Sequence, residues 1–485
     1  MKTLSKSARK LIKVPSRQFA SGHHELDPNT KDFDIICVGG LNSANVINYL
    51  QHSGFHGAVG LFNDNTNFFN EHHYEYLLHG NMPGYKYLAN SVGLCFNNKE
   101  SLAIQSRITE IRPEKNEVVD TKGNVFTYKS LVLNTGLRQK TADMEFVHKF
   151  TQDGEFGKSR VFVHEVNNAE FLERNKRMIN MHKDQDFIIY LPKYPSRREA
   201  YDGWYLAVDQ FLSWGNHSQS HPKNMKVRVI TPNDNLYKFP FANEIVMDEI
   251  NDRELIETHF GWEITNIEII EGINSTNRYA TFKNVKTGEE MRCLFGTLVL
   301  TPENVKREIY QGNDIADETG QVKVNPYSLQ HEKYPNIFAF GDCAKLETTK
   351  SFYATLNQAV IARNNVVDYL EGKEFKAIYE GYSSFAVNHS LDRQWIFSHK
   401  YGYVPSFGNF YVPRFLGLFA YKFKNILEKQ YFSKIFASKG NYGYPWLKKN
   451  RYFRPIEENN FAKKNNITRD VLMSHGISKP LLSHH

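Results

Sequence analysis

Apolar runs punctuated by glycine, asparagine and proline recur along this chain with two periods, one of strands and one of helices. DFDIICVGGLNSANVINYL, from Asp32, reads as a buried strand, a glycine turn, and a helix with apolar positions at Ala44, Val46, Ile47 and Leu50. That is the first βα unit of a dinucleotide-binding fold. The next strand, AVGLFN, ends one helix later at Asn63, where such folds place the acid that bonds a ribose. FTYKSLVLNTG (Phe126 to Gly136) predicts a strand closing in a small turn, and YPNIFAFGDCA (Tyr334 to Ala344) another closing in Gly-Asp-Cys-Ala. Between them, DFIIYLP (Asp186 to Pro192) and MKVRVITP (Met225 to Pro232) predict parallel strands of a second unit, with a return through CLFGTLVLTP (Cys293 to Pro302). The expected fold class is α/β, with two Rossmann-like dinucleotide-binding domains, one inserted in the other. A C-terminal amphipathic helical and aromatic region follows them.

Composition agrees with a folded chain of more than one domain. The 485 residues exceed the roughly 250–300 at which single cores stop growing. Hydrophobic residues make up 41% and aromatic ones 14%, without low-complexity tracts, so a sizeable core is available. There is no run of apolar residues long enough for a membrane-spanning helix and no internal repeat.

The formal net charge of +7 is concentrated at the ends: Lys2, Lys6, Arg9, Lys10, Lys13 and Arg17 precede the first acid, Glu25, and a second set follows Lys422. No RNA-binding signature accompanies either set, so nucleic acid is not an expected partner. The opening MKTLSKSARKLIKVPSRQFAS is basic, hydroxylated and acid-free, as a mitochondrial presequence is, and import into mitochondria is expected. The four cysteines, Cys37, Cys95, Cys293 and Cys343, form no CxxC pair and no cluster with histidine at ligand spacing, so neither a metal site nor a disulfide framework is expected. Cys37 and Cys293 lie in or beside apolar strands and read as small core residues.

The ordered set of a glycine turn near the start, a Thr-Gly turn about 100 residues on, and Gly341-Asp342 resembles the two-dinucleotide-binding-domain flavoproteins. Within them, KLETTKSFYATLNQA (Lys345 to Ala359) and IYEGYSSFAVNHSLDRQWIFSHKYGYVPSF (Ile378 to Phe407) resemble the sulfide:quinone oxidoreductases, over about residues 32 to 440. The resemblance implies an FAD-type domain over 32–145 and 303–376 and an NAD-type domain over 146–302. It also implies a membrane- or partner-facing region over 377–440, with a presequence-like segment over 1–31 and an extended arm over 441–485 outside it. It implies FAD held by Gly39, Gly40, Asn63, Thr135, Gly136, Gly341 and Asp342, the last bonding a ribityl hydroxyl.

The chemistry of that family does not carry over. Its two flavin-side cysteines relay sulfur and electrons, which requires thiols. Their positions read here as Arg197 or Arg198, within YLPKYPSRREAYDGW, and as Phe385 in Gly381-Tyr382-Ser383-Ser384-Phe385. In Gly39-Gly40-Leu41-Asn42-Ser43-Ala44, Leu41 takes the place of the glycine that lets a pyrophosphate approach, and Asn63 replaces the ribose acid. Glycines 39, 40, 136 and 341 shape strand exits whether or not a ligand is present, and that structural reading is preferred: no cofactor is expected, FAD being possible only if the pocket is retained. Lys350, His72, His73, Glu289 and Glu290 sit in no motif that needs them and are expected to be solvated.

From Tyr411, the positions Phe415, Leu418, Phe419, Lys422, Phe423, Ile426 and Leu427 have amphipathic helical spacing flanked by lysines, which suits an anionic membrane surface over 411–440. The interleaved aromatics and bases of 441–461 suit an arm lying on a partner. The expected role is a non-catalytic sulfide:quinone oxidoreductase-like subunit of a mitochondrial inner-membrane assembly, plausible in a respiratory-chain complex, on the matrix side. The alternative is an FAD-dependent quinone oxidoreductase with cysteine-independent chemistry.

Overall fold

The computed structural model describes residues 27–40, 55–64, 67–69, 89–91, 101–139, 159–163, 185–191, 225–273, 275–301, 304–305, 307–390 and 393–406, with isolated positions between and beyond them. Leu41, His72, His73, Cys95, Arg197, Arg198 and most of the C-terminal region lie outside the described residues.

The strand predicted from Asp32 is β1 (Asp32–Gly39), buried over Ile35 to Val38. Its unbroken apolar run follows from parallel neighbours on both sides: β2 (Val59–Asn63) on one and β8 (Val125–Asn134) on the other. Between them in sequence come a short antiparallel ribbon, β3 (Asn67–Phe69) with β4 (Ala89–Ser91), then β5 (Ser101–Gln105), β6 (Ile108–Arg112) and β7 (Glu117–Asp120). The first sheet has the order β5-β2-β1-β8-β7-β6. Its parallel half is a Rossmann sheet, and its antiparallel half is the β6–β7–β8 meander. After β1, Ser43, Val46, Ile47 and Leu50 are helical and buried against this sheet.

The chain crosses to the second sheet at β9 (Arg138–Gln139) and comes back at β17 (Asn304–Val305), and these two pair with each other. Between them lie β10 (Val161–Val163), β11 (Asp186–Tyr190), β12 (Val227–Thr231), β13 (Ile256–Phe260), β14 (Trp262–Glu271), β15 (Thr276–Asn284) and β16 (Glu290–Leu300). β16 serves two roles. Its first half pairs antiparallel with β15, and its second half lies parallel between β10 and β11. The sequence pattern predicted the parallel strands and the return; the β14–β15 part of the meander was not anticipated. Helix α1 (Pro240–Asn251) starts with proline in its first turn, where a missing N–H costs nothing, and buries Ala242, Val246 and Ile250.

The first sheet is completed from far along the chain by β18 (Ile337–Ala339), which pairs parallel with β8. Helix α2 (Phe352–Leu370) follows, capped by Ser351, whose hydroxyl accepts from the Ala354 N–H. The hairpin β19 (Ser383–Ser390) and β20 (Arg393–His399) then joins the two units. Phe385, Val387, Trp395 and Phe397 pack with Phe239 and Ala242 of the second sheet's core, while the Ser383 hydroxyl bonds Ser351 and Thr349 of the first. Of the C-terminal helical segment, Leu418, Lys422 and Ile426 are helical and exposed. Among the described residues no helix is long and apolar enough to cross a membrane.

Candidate functional site

The carboxyl ends of the parallel strands bring the sequence-predicted residues to one edge: Gly39 and Gly40 leave β1, Asn63 closes β2, Thr135 and Gly136 leave β8, and Gly341 and Asp342 leave β18. Asn134 ties this edge together. Its side-chain amide donates to the Phe340 carbonyl at 3.0 Å, bridging the exits of β8 and β18. Gly39 has φ +130, and a Cβ there would stand 2.0 Å from the Asn134 carbonyl oxygen. Gly341 has φ +76, and its Cβ would meet the Asn134 amide nitrogen at 2.4 Å. Both glycines are therefore required by the protein's own packing. Asp342 is buried in a 3-10 turn, Gly341–Cys343, whose first N–H is accepted by Gln358 at 2.7 Å.

Two arginines that the sequence analysis did not single out lie at the same edge. Arg107, following β5, pairs with Asp64 at 3.7 Å, both side chains being half-exposed. Arg307, just after β17, donates from Nη2 to the Leu137 carbonyl at 3.2 Å and faces Gly136, whose Cβ would come within 3.9 Å of that nitrogen. No motif marks Arg307; only the pairing of β17 with β9 carries it over the exit of β8. Thr135 is held by the Tyr310 hydroxyl at 2.7 Å.

Lys350 corrects the expectation of a solvated group. It is buried, and its ammonium donates to the Ala344 carbonyl at 2.5 Å, because the loop before α2 runs beneath the hairpin. Glu289 and Glu290 are exposed, as expected. Around Lys350 the polar groups satisfy one another. Thr349 bonds His399 Nε2 at 2.6 Å, Ser351 bonds Ser383 at 2.9 Å, and Gln358 donates to the Tyr379 hydroxyl at 2.9 Å. His399 is packed between Phe239 and Tyr403, each ring centroid 5.0 Å away, and Nδ1 faces the Lys400 carbonyl at 3.0 Å.

Burial pushes the His399 imidazole down to about 4. Its folded pKa thus lies below the unfolded value near 6.5, so the stability it contributes is present above pH ~6.5 and is lost as pH falls towards 4. The shift corresponds to about 3 kcal/mol. The melting temperature of the wild-type chain is expected to fall over that window, and His399→Gln to flatten the fall; parallel profiles for the two proteins would refute the assignment.

Phe385, the position at which the resemblance places a thiol, is 4% exposed. Its ring stacks on Tyr237 with centroids 5.9 Å apart and planes at 16°, and packs on Phe397 at 5.6 Å. The described cysteines, Cys37, Cys293 and Cys343, are all buried, and burial raises each thiol. None is poised as a thiolate. Among the described residues no group of three His, Cys, Asp or Glu side chains is placed to hold a metal ion.

FAD is the group implied by the resemblance. The glycine exits, Asn63, Asp342 and the two arginines suit the sugar and phosphate portion of a dinucleotide. Beneath α2, hydroxyl, amide and imidazole groups are buried and bonded to one another.

No protein-family model matches the chain. It is 35% identical to the mitochondrial sulfide:quinone oxidoreductase of Schizosaccharomyces pombe over 117 residues, 24% of this chain and only 25% of that enzyme. With the corresponding enzyme of Dictyostelium discoideum it shares 22% identity over 375 residues, 75% of each chain. Among solved structures, a chain of the Tetrahymena thermophila mitochondrial ATP synthase superposes with TM-score 0.74 at 20% identity, covering 86% of this chain and 99% of that one. The sulfide:quinone oxidoreductase of Aquifex aeolicus superposes with TM-score 0.67 at 16% identity, covering 85% and 92%. Two Rossmann-like mixed sheets joined in this order give the chain the two-dinucleotide-binding-domain flavoprotein fold, and along three-quarters of its sequence it is similar to a mitochondrial sulfide:quinone oxidoreductase.

Proposed function

We propose that this chain is a non-catalytic, flavin-free structural subunit of a mitochondrial inner-membrane complex, on the matrix side. The observation that carries the reading is Phe385. Where the related enzymes need a thiol, a buried aromatic ring is built into the core that joins the hairpin to the second sheet. A ring there stabilises the join and supplies no nucleophile. The other thiol position reads as Arg198. The self-bonded groups beneath α2 support the same conclusion for the flavin.

The likeness to a chain of the Tetrahymena complex supports an ATP synthase as the assembly, in preference to a respiratory-chain complex. Leu418, Lys422 and Ile426 fall at i, i+4 and i+8 on one helical stripe, and Leu418 and Ile426 are 37% and 53% exposed. Such a stripe suits the membrane surface or a neighbouring subunit. When mitochondrial membranes are solubilised in mild detergent, the tagged chain is expected to co-migrate with ATP-hydrolysing complexes on native gels. Recovery as a lone soluble monomer would overturn the proposal.

The second reading is an FAD-dependent quinone oxidoreductase with cysteine-independent chemistry. It is favoured by the convergence of Gly39, Gly40, Asn63, Thr135, Gly136, Gly341 and Asp342 on one sheet edge. Bound FAD would supply two-electron transfer there. A flavin absorption band in the purified chain, bleached by a physiological donor, would establish it over the first.

A further inference from the structure

β14 is the outermost strand of the second sheet on the meander side. One of its edges pairs with β15, and the other, from Trp262 to Ile270, has no backbone partner among the described residues. The strand is 10 residues long, against about five or six for a typical strand. An open row of N–H and C=O groups of that length is a template for another strand, and proteins ordinarily blunt it with lysine, proline or a bulge. Here the bulge at Ile264/Asn266 disturbs the first part only. From Asn266 to Glu271 the register is unbroken, and the segment holds neither lysine nor proline.

The two faces of β14 differ. Ile264, Ile267 and Ile269 pack into the core beneath the meander, whereas Glu263, Glu268 and Ile270 are exposed. Opposite Glu268 stands Tyr279, and beyond it Leu294. Arg292 lies 3.8 Å over the Tyr279 ring and donates to Glu268 at 2.6 Å. Ile270 and Leu294 are 50% and 36% exposed, and Ile273, at the tip of the β14–β15 hairpin, is fully exposed.

Charge selects the occupant. β14 carries Glu263, Glu268 and Glu271 and no base, in a chain whose formal net charge is +7. A second copy would lay these carboxylates beside their own kind, and like charges facing each other across strands destabilise the pairing. A strand with lysine or arginine on its outward side matches them, and an apolar residue between the bases would meet Ile270.

We propose that the edge of β14, over Asn266 to Ile270, receives an extended basic segment of a neighbouring protein chain by strand addition, a proposal that rests on the reading of this chain as a subunit of an assembly. Main-chain hydrogen bonds would supply the affinity, and the carboxylates would select the partner and turn away a second copy.

The test is hydrogen exchange, read by mass spectrometry, on the purified full-length chain and on the assembly recovered from mitochondrial membranes through a tag on it. The β14 amides are expected to exchange at least roughly tenfold more slowly in the assembly. Ile270→Lys and Ile270→Glu remove the same exposed apolar contact, and both are expected to melt as wild type does. Ile270→Lys is expected to lower the fraction of chain in the assembly roughly tenfold relative to Ile270→Glu, because it meets a basic partner with like charge. The reverse order, or a lone dimer with β14 protected, would mean that a second copy is the occupant and would overturn the proposal, as would equal retention of the two variants. If the chain co-migrates with the assembly while β14 exchanges as in the isolated chain, strand addition fails and the subunit reading stands. Recovery only as a lone monomer would overturn both.

Discussion

Gly39→Ala is expected to destabilise the first sheet severely. The added methyl would stand 2.0 Å from the carbonyl oxygen of Asn134, a backbone atom held in register by β8, at a φ of +130 that residues with a Cβ rarely adopt. Neither partner can yield without breaking the β1–β8 ladder. Backbone strain and overpacking together cost roughly 3–5 kcal/mol, a large part of the 5–15 kcal/mol typical of whole domains. Denaturant titration should show the loss with or without added nucleotide. If Gly39→Ala instead kept wild-type stability and lost only ligand binding, the glycine would be serving a ligand and the packing argument would fail.

Phe385→Ala is expected to cost a similar amount, about 3–5 kcal/mol, since a fully packed ring is removed from between Tyr237, Phe397 and Trp395. Phe385→Cys returns a thiol to the position but places it in the same aromatic core. That variant is expected to be destabilised and to remain inactive with sulfide as donor and a quinone as acceptor. Sulfide-dependent quinone reduction by Phe385→Cys alone would mean that the flavin face is intact, and the structural-subunit reading would be wrong. The denaturation midpoint, read at constant slope, separates loss of stability from any change in the unfolded state.

The parallel strands were legible from sequence because burial on both faces forces continuous apolar runs, as in Ile35 to Val38 and Phe187 to Tyr190. The glycines were legible for their backbone freedom, though what each one approaches could not be read. Asn134, the partner of both Gly39 and Gly341, had no signal beyond preceding a Thr-Gly turn. Lys350 was misjudged because its burial is created by a hairpin that begins 33 residues later, at Ser383. Arg307 was invisible for a related reason: one of two adjacent basic residues in TPENVKREIY acquires meaning only when β17 pairs with β9. Sequence periodicity reports the environment of an element, and both of these residues depend on how separate elements meet.

The short strand β18 has a consequence for how the chain is made. Ser130 in β8 bonds the Asn336 carbonyl beside β18 across 206 residues of sequence, and the whole second sheet lies between them. During synthesis, the edge of β8 must stay open until that distant segment arrives, while the strands of the second sheet can already pair. Contacts this far apart slow folding, and an unpaired edge left waiting is a site of misassembly. The first sheet is therefore the last to finish although it begins the chain, and chaperone dependence should centre on its unfilled place beside β8.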